Sequence, residues 1–264
     1  MNERPTPSCA PRAAVTLRSP LCWLARGWAD LRSNPLPGLL HGLLLAAFGG
    51  LLLWQAGDEF WLLAGAFSGF LIVAPILVCG LLQISRSRSQ GQRIGIAAVL
   101  QLWRSGEPRL LRFGLLLGLA GTGWVLTSAA LITLWSPEPI HRPMDFLYHV
   151  VLVRELGLFE VWLLLGALLA APVFASTVVA LPMLVDTPAS ISAALLASWH
   201  AVADHPGPAV LWAVLIALLV GLGMLTALIG LIVIVPWLAH ASWHAYCDLS
   251  ARPSDHASTA QRQC

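Results

Sequence analysis

His240 and His244 stand four residues apart near the carboxyl end of the chain. On a helix that spacing puts both imidazoles on one face, an arrangement suited to sharing a metal or haem iron. Asp248 continues the same face. The glutamate of the zinc-protease motif is missing, and spacing alone fixes no third ligand. Position adds candidates: the residue four places after Pro75, Pro182 and Pro236 is Cys79, Asp186 and His240 respectively. These three would converge only if the segments that carry them meet at an axis. His41 is the one strongly polar residue well inside the first apolar stretch, and ionisable groups at such depth are functional candidates by default. The competing reading is ordinary: His240, Trp243, His244 and Tyr246 are partly polar aromatics that belong at a membrane–water boundary. Asp186, His200, Asp204 and His205 form a second polar group. Its Asp–His pairs suit general-base work, yet no activated nucleophile accompanies them. The expectation is no catalytic residue, no enzyme and no cofactor, with metal or haem at His240/His244 as an alternative.

The elements that must position these groups are apolar. Of 264 residues, 58% are hydrophobic and 11% charged. That composition exceeds what one soluble core of this size hides, so lipid must solvate much of it. Net charge is +2, which offers nothing to a nucleic acid. Five stretches are long enough to span hydrocarbon: 36–56, 60–84, 110–135, 158–185, and a longer tract over 208–246. The last is too long for one helix and should break at Gly221-Leu222-Gly223 or at Gly230. Breaking gives six spans; otherwise there are five, or a half-inserted segment.

A pattern occurs three times. A Trp-bearing amphipathic stretch ends in a polar residue and a proline, at Asn34-Pro35, Glu107-Pro108 and His205-Pro206. Long apolar sequence follows, and each copy closes on a second proline: Pro75, Pro182 or Pro236. Proline at the first turn of a helix costs little, the residue before it turns the chain, and a polar side chain there can cap, Asn34 best. The fold class expected is all-α: a polytopic transmembrane bundle of three repeats (21–93, 94–186 and 187–249), each a surface helix plus a membrane hairpin. Residues 1–20 and 250–264 read as disordered tails, and the first of these lacks the apolar core of a signal peptide. Gly65/Gly69 and Gly114/Gly118 are spaced for close helix packing.

Arginine sets the orientation. All fifteen basic residues are arginine, and six of them lie between Arg86 and Arg112 against one acid, Glu107. The positive-inside bias puts that loop and both termini in the cytoplasm, and Gly57 on the far side. Most tryptophans fall near span ends, as interfacial anchors do; Trp124 and Trp212 lie nearer mid-span and are the better candidates to stack on a ligand. Five cysteines show neither metal nor disulfide-framework spacing and read as free thiols.

The stretches Trp23–Pro35, Phe70–Pro75 and Val235–Leu249 resemble a bacterial family of predicted integral membrane proteins classed only as a domain of unknown function. The resemblance runs over about 21–249. It implies an inner-membrane protein of proteobacterial type and supplies no activity or ligand. Cys247 stands where the family has a basic residue. The function expected is a non-enzymatic scaffold, assembly or envelope factor whose partners are the lipid bilayer and other membrane proteins. A transporter or channel for a small solute is the alternative, weakened by the lack of charge within the spans.

Overall fold

A computed structural model describes residues 14–56, 78–90, 107–136, 138–152 and 157–250. The readings made for Gly57, Gly65, Gly69, Pro75 and the two tails up to Ala13 and from Ala251 lie outside these. The described residues are helical. In chain order they form α1 (Ser19–Ser33), α2 (Pro35–Ala56), α3 (78–89), α4 (Pro108–Trp135) and α5 (Pro143–Phe146). A π turn (Leu147–Val151) follows, then α6 (Leu158–Thr177), α7 (Ala180–Asp186), α8 (Ile191–Asp204), α9 (Pro206–Leu225) and α10 (Leu231–Leu249).

Among them four stretches are long and apolar enough to cross a membrane: Pro35–Gln55, Pro108–Trp135, Leu158–Asp186 and Pro206–Leu225. Each leaves most of its surface outside the protein interior, with Leu44, Phe48, Leu119, Leu126, Leu164, Leu168 and Leu218 all exposed. Apolar surface on that scale is solvated by acyl chains. The protein is an integral membrane protein. The expected span over 60–84 lies largely outside the described residues.

Pro35, Pro108 and Pro206 are each the first residue of a long helix. The expected side-chain caps are absent at two of these junctions: neither Glu107 nor His205 caps with its side chain. Their backbone carbonyls accept instead, from Leu111 and Ala209, while the Glu107 carboxylate is taken by Arg109 Nε at 2.9 Å. Pro182 has no N–H to give the carbonyl four residues back, and the helix breaks there, at Val178–Val179, between α6 and α7. The Val179 amide is recovered by Ser198 Oγ on α8 at 3.1 Å.

The long closing tract divides, but not at Gly221-Leu222-Gly223. Those residues stay helical, and Gly223 is buried against Leu231 and Ile234 of the returning helix. The break runs over Thr226–Gly230, where Ala227 and Leu228 hold positive φ (52° and 70°). Thr226 Oγ1 accepts the Gly230 amide at 2.8 Å and closes the turn. Gly230, the other expected site, is the N-cap of α10. α9 has 20 residues and is long and apolar enough to cross a membrane, whereas α10 is not among the four such stretches of the described residues.

Two glycines let helices touch backbone to backbone. A Cβ on Gly27 of α1 would lie 2.5 Å from the Ala241 amide nitrogen of α10. A Cβ on Gly42 of α2 would overlap the Ile232 carbonyl of α10. That carbonyl is four residues before Pro236, which has no N–H to bond it. The proline thus frees an oxygen, and the bare face of α2 packs on it. Gly27→Leu and Gly42→Leu should each lose about 1–3 kcal/mol, the usual cost of overpacking. Gly50→Ala, with nothing within 4 Å of the added carbon, should lose none. Thermal melts in mild detergent, followed by monodisperse elution, read the difference.

Candidate functional site

One end of the molecule collects its polar side chains. α10 is apolar at first and then turns polar, yet Leu238–Ala241, Trp243 and Ala245–Leu249 are all buried. Polar groups so placed need partners, and α1, α3 and α7 provide them for all but the buried Trp243 indole N–H.

Asp248 accepts the Trp23 indole N–H at 2.8 Å and pairs with Arg26. Asp186, at the end of α7 with a fully buried carboxylate, takes Arg86 Nε at 2.9 Å on one oxygen. Its other oxygen accepts the Tyr246 hydroxyl at 2.9 Å. Asp30 bridges two helices, to Arg88 of α3 at 3.1 Å and His244 of α10 at 2.8 Å. Ser85 Oγ and His240 Nδ1 are 2.6 Å apart. Arg109, entering α4, donates to the Thr187 and Ala189 carbonyls at 3.1 and 2.8 Å. Burial pushes the Asp30 carboxyl up. The His244 hydrogen bond and the charges of His244, His240 and Arg88 outweigh that and hold it below the usual carboxylate range.

His240 and His244 do share a face, and each is engaged by a different helix. Among the described residues no group of three or more His, Cys, Asp and Glu lies close enough to hold a metal ion. Cys79 is buried in the apolar core. Asp186 bonds Arg86 and Tyr246. His41 Nδ1 is 2.7 Å from the Pro37 carbonyl one turn back. The Ser85–His240 pair is the chemistry that spacing could not show. Both side chains are sealed, at 1% and 2% exposure, so this pair presents no nucleophile to a substrate.

Trp124 and Trp212 have indole partners: Trp124 tilts on Trp162 at 5.4 Å, and Trp212 meets Trp23 edge-on at 5.7 Å. The cysteines need a correction. Cys79 is free, but Cys22 and Cys247 are disulfide-bonded. Residues so far apart in the chain give no spacing signal. The fold brings their neighbourhoods together, since Trp23 and Asp248, the next residues along, bond each other.

Residues 62–186 match the family model described as predicted integral membrane protein (DUF2189). The match includes α3, α4, α6 and α7. It leaves out the opening and closing stretches that carried most of the resemblance noted above. No curated protein and no solved structure matches the chain.

Arg86→Ala should cost about 3 kcal/mol, because it leaves a buried carboxylate without its cation. Arg86→Lys should recover part of that loss, and Tyr246→Phe should cost about 1–2 kcal/mol for its hydrogen bond. Melting in detergent orders the three. Acid should also loosen α1. A carboxyl held below its unfolded value stabilises fully above about pH 4, and that contribution is lost as pH falls through the lower folded value. Wild type should therefore lose more stability than Asp30→Asn between pH 6 and pH 3.

Proposed function

We propose that this protein is a non-enzymatic scaffold or assembly factor of a bacterial inner membrane, spanning it six times as three hairpins, with both termini in the cytoplasm. One observation carries the reading: the acids and histidines at the polar end are engaged by partners from other helices. Asp30, Asp186, Asp248, His240 and His244 each bond a side chain from another helix. Groups tied in this way hold helices in register. A transport path or a metal centre needs groups that exchange partners with a solute or ion.

The pairing also supports the hairpin count. Residues of α1, the end of α3, the start of α4, the end of α7 and the end of α10 meet at one end. Chain segments that leave and return to the same end cross an even number of times. The three leading helices that begin at Pro35, Pro108 and Pro206 fit the proposed triplication. Arg26, Arg86, Arg88 and Arg109 share this end, and the positive-inside bias directs it to the cytoplasm, a reducing compartment in which the Cys22 and Cys247 sulfurs would be held as thiols.

Cysteine labelling in intact cells should reach position 57 from outside, and positions 89 and 254 only after permeabilisation. Labelling of 254 but not 89 from outside would replace six spans by five. Tagged protein taken from the membrane in mild detergent should bring a stoichiometric membrane-protein partner with it. It should also be colourless and free of stoichiometric metal. A strictly solitary protein would count against the scaffold. A metal lost in His240→Ala and His244→Ala would establish the metal-binding alternative.

A further inference from the structure

The connection between α4 and α6 lies at the end of the molecule opposite the polar cluster. α4 starts beside Thr187 and runs 28 residues to Trp135, about 40 Å at the α-helical rise. A loop at that place would ordinarily show water a polar surface. The first part of this one does so, with Glu138, His141 and Arg142 exposed, and the part that follows does not. Residues 143–151 form a continuous helical segment, α5 running into the π turn, and the Leu152 amide closes it on the Leu147 carbonyl at 3.0 Å. One side packs inward: Val150 is fully buried with Ile132, Ile140 and Leu158, and Phe146 stands 5.2 Å from Trp162. The other side is also apolar. Met144 (52%), Leu147 (38%), Tyr148 (55%) and Leu152 (57%) are all exposed. The five-residue hydrogen bond widens the turn, so residues four apart, such as 144, 148 and 152, stay on one side.

What covers this side follows from where the segment is fixed. Its inner face rests on the last turns of one membrane-crossing stretch (Ile132) and the first turns of the next (Leu158, Trp162). Leu134 and Trp135, beside it, are exposed as well. The patch is therefore continuous with surface that lipid already covers, at the depth where spans meet headgroups. Tyrosine and tryptophan collect at that depth. Asp145 ties the polar approach by accepting the His141 and Arg142 amides at 3.0 and 2.8 Å.

We propose that residues 143–152 are an interfacial anchor, laid in the headgroup–acyl boundary of the leaflet at this end, with phospholipid chains against Met144, Leu147, Tyr148 and Leu152. This deepens the reading of the protein as membrane-spanning and rests on it. The test places the photocrosslinking amino acid p-benzoylphenylalanine at one position of the full chain at a time. The protein is reconstituted into vesicles of phosphatidylethanolamine and phosphatidylglycerol, and adducts are read by mass spectrometry. Positions 148 and 152 should give phospholipid adducts in yields comparable to position 44, on the exposed face of α2, and position 138 should give none. If 44 yields lipid while 148 and 152 yield no adduct, the segment faces water and the anchor is overturned while the spans stand. Adducts at 148 and 152 with a polypeptide in place of lipid overturn it as well. Loss of lipid adducts at all three positions overturns the spanning reading and the anchor together.

Discussion

The approach of α1 to α10, with Gly27 against the Ala241 backbone, is the contact on which the polar end depends. Only a bare α-carbon lets the two helices come that close. At that distance Trp23 and Arg26 reach Asp248, Asp30 reaches His244, and the Trp237 indole reaches the Leu24 carbonyl at 2.7 Å. Trp28 and Trp237 complete the seam, 5.3 Å apart. Without it His244 and Asp248 of α10 would stand at the membrane boundary without the α1 side chains that hold them. With it, the closing helix is the hub to which α3 and α7 attach through Ser85 and Asp186.

Proline organises the rest by what it lacks. At the start of α2, α4 and α9 a missing N–H costs nothing, since the first amides of a helix have no helical acceptor. Within the bundle the same absence frees a carbonyl, and two solutions appear. Near Pro182 the helix breaks, and the hydroxyl of Ser198 takes an amide left over at the break. Near Pro236 the helix continues, and the glycine face of α2 covers the Ile232 carbonyl.

Much of the frame was legible because it rests on local chemistry. Length and hydropathy mark the stretches from Pro35, Pro108, Leu158 and Pro206, and proline at the first turn marks three of their starts to the residue. The break in the closing tract was harder. Glycine pairs suggest a weak point, but Gly223 is used for close packing against Leu231, and the turn forms on Thr226 with Ala227 and Leu228 in left-handed geometry that composition does not favour. The polar end was legible only as a list of residues. His240 and His244 share a face as spacing requires, yet nothing local assigns Ser85 to one and Asp30 to the other. Those assignments depend on contacts spanning 155 and 214 residues. The helical segment after Trp135 escaped for a different reason: proline before it and a π turn within it hide a short amphipathic pattern from any regular period.

The bond between Asp30 and His244, 214 residues apart in sequence, has a consequence for biosynthesis. α1 leaves the ribosome long before its partner does. At synthesis rates of about 5–20 residues per second the wait is roughly ten to forty seconds. Through that interval α1 has no α10 to cover Trp23, Leu24 and Leu31. The bilayer surface is the apolar phase within its reach, so the nascent helix must lie there before it is gathered in. Arrival of α10 is then the event that ties α1 to α3 and α7 in one polar end.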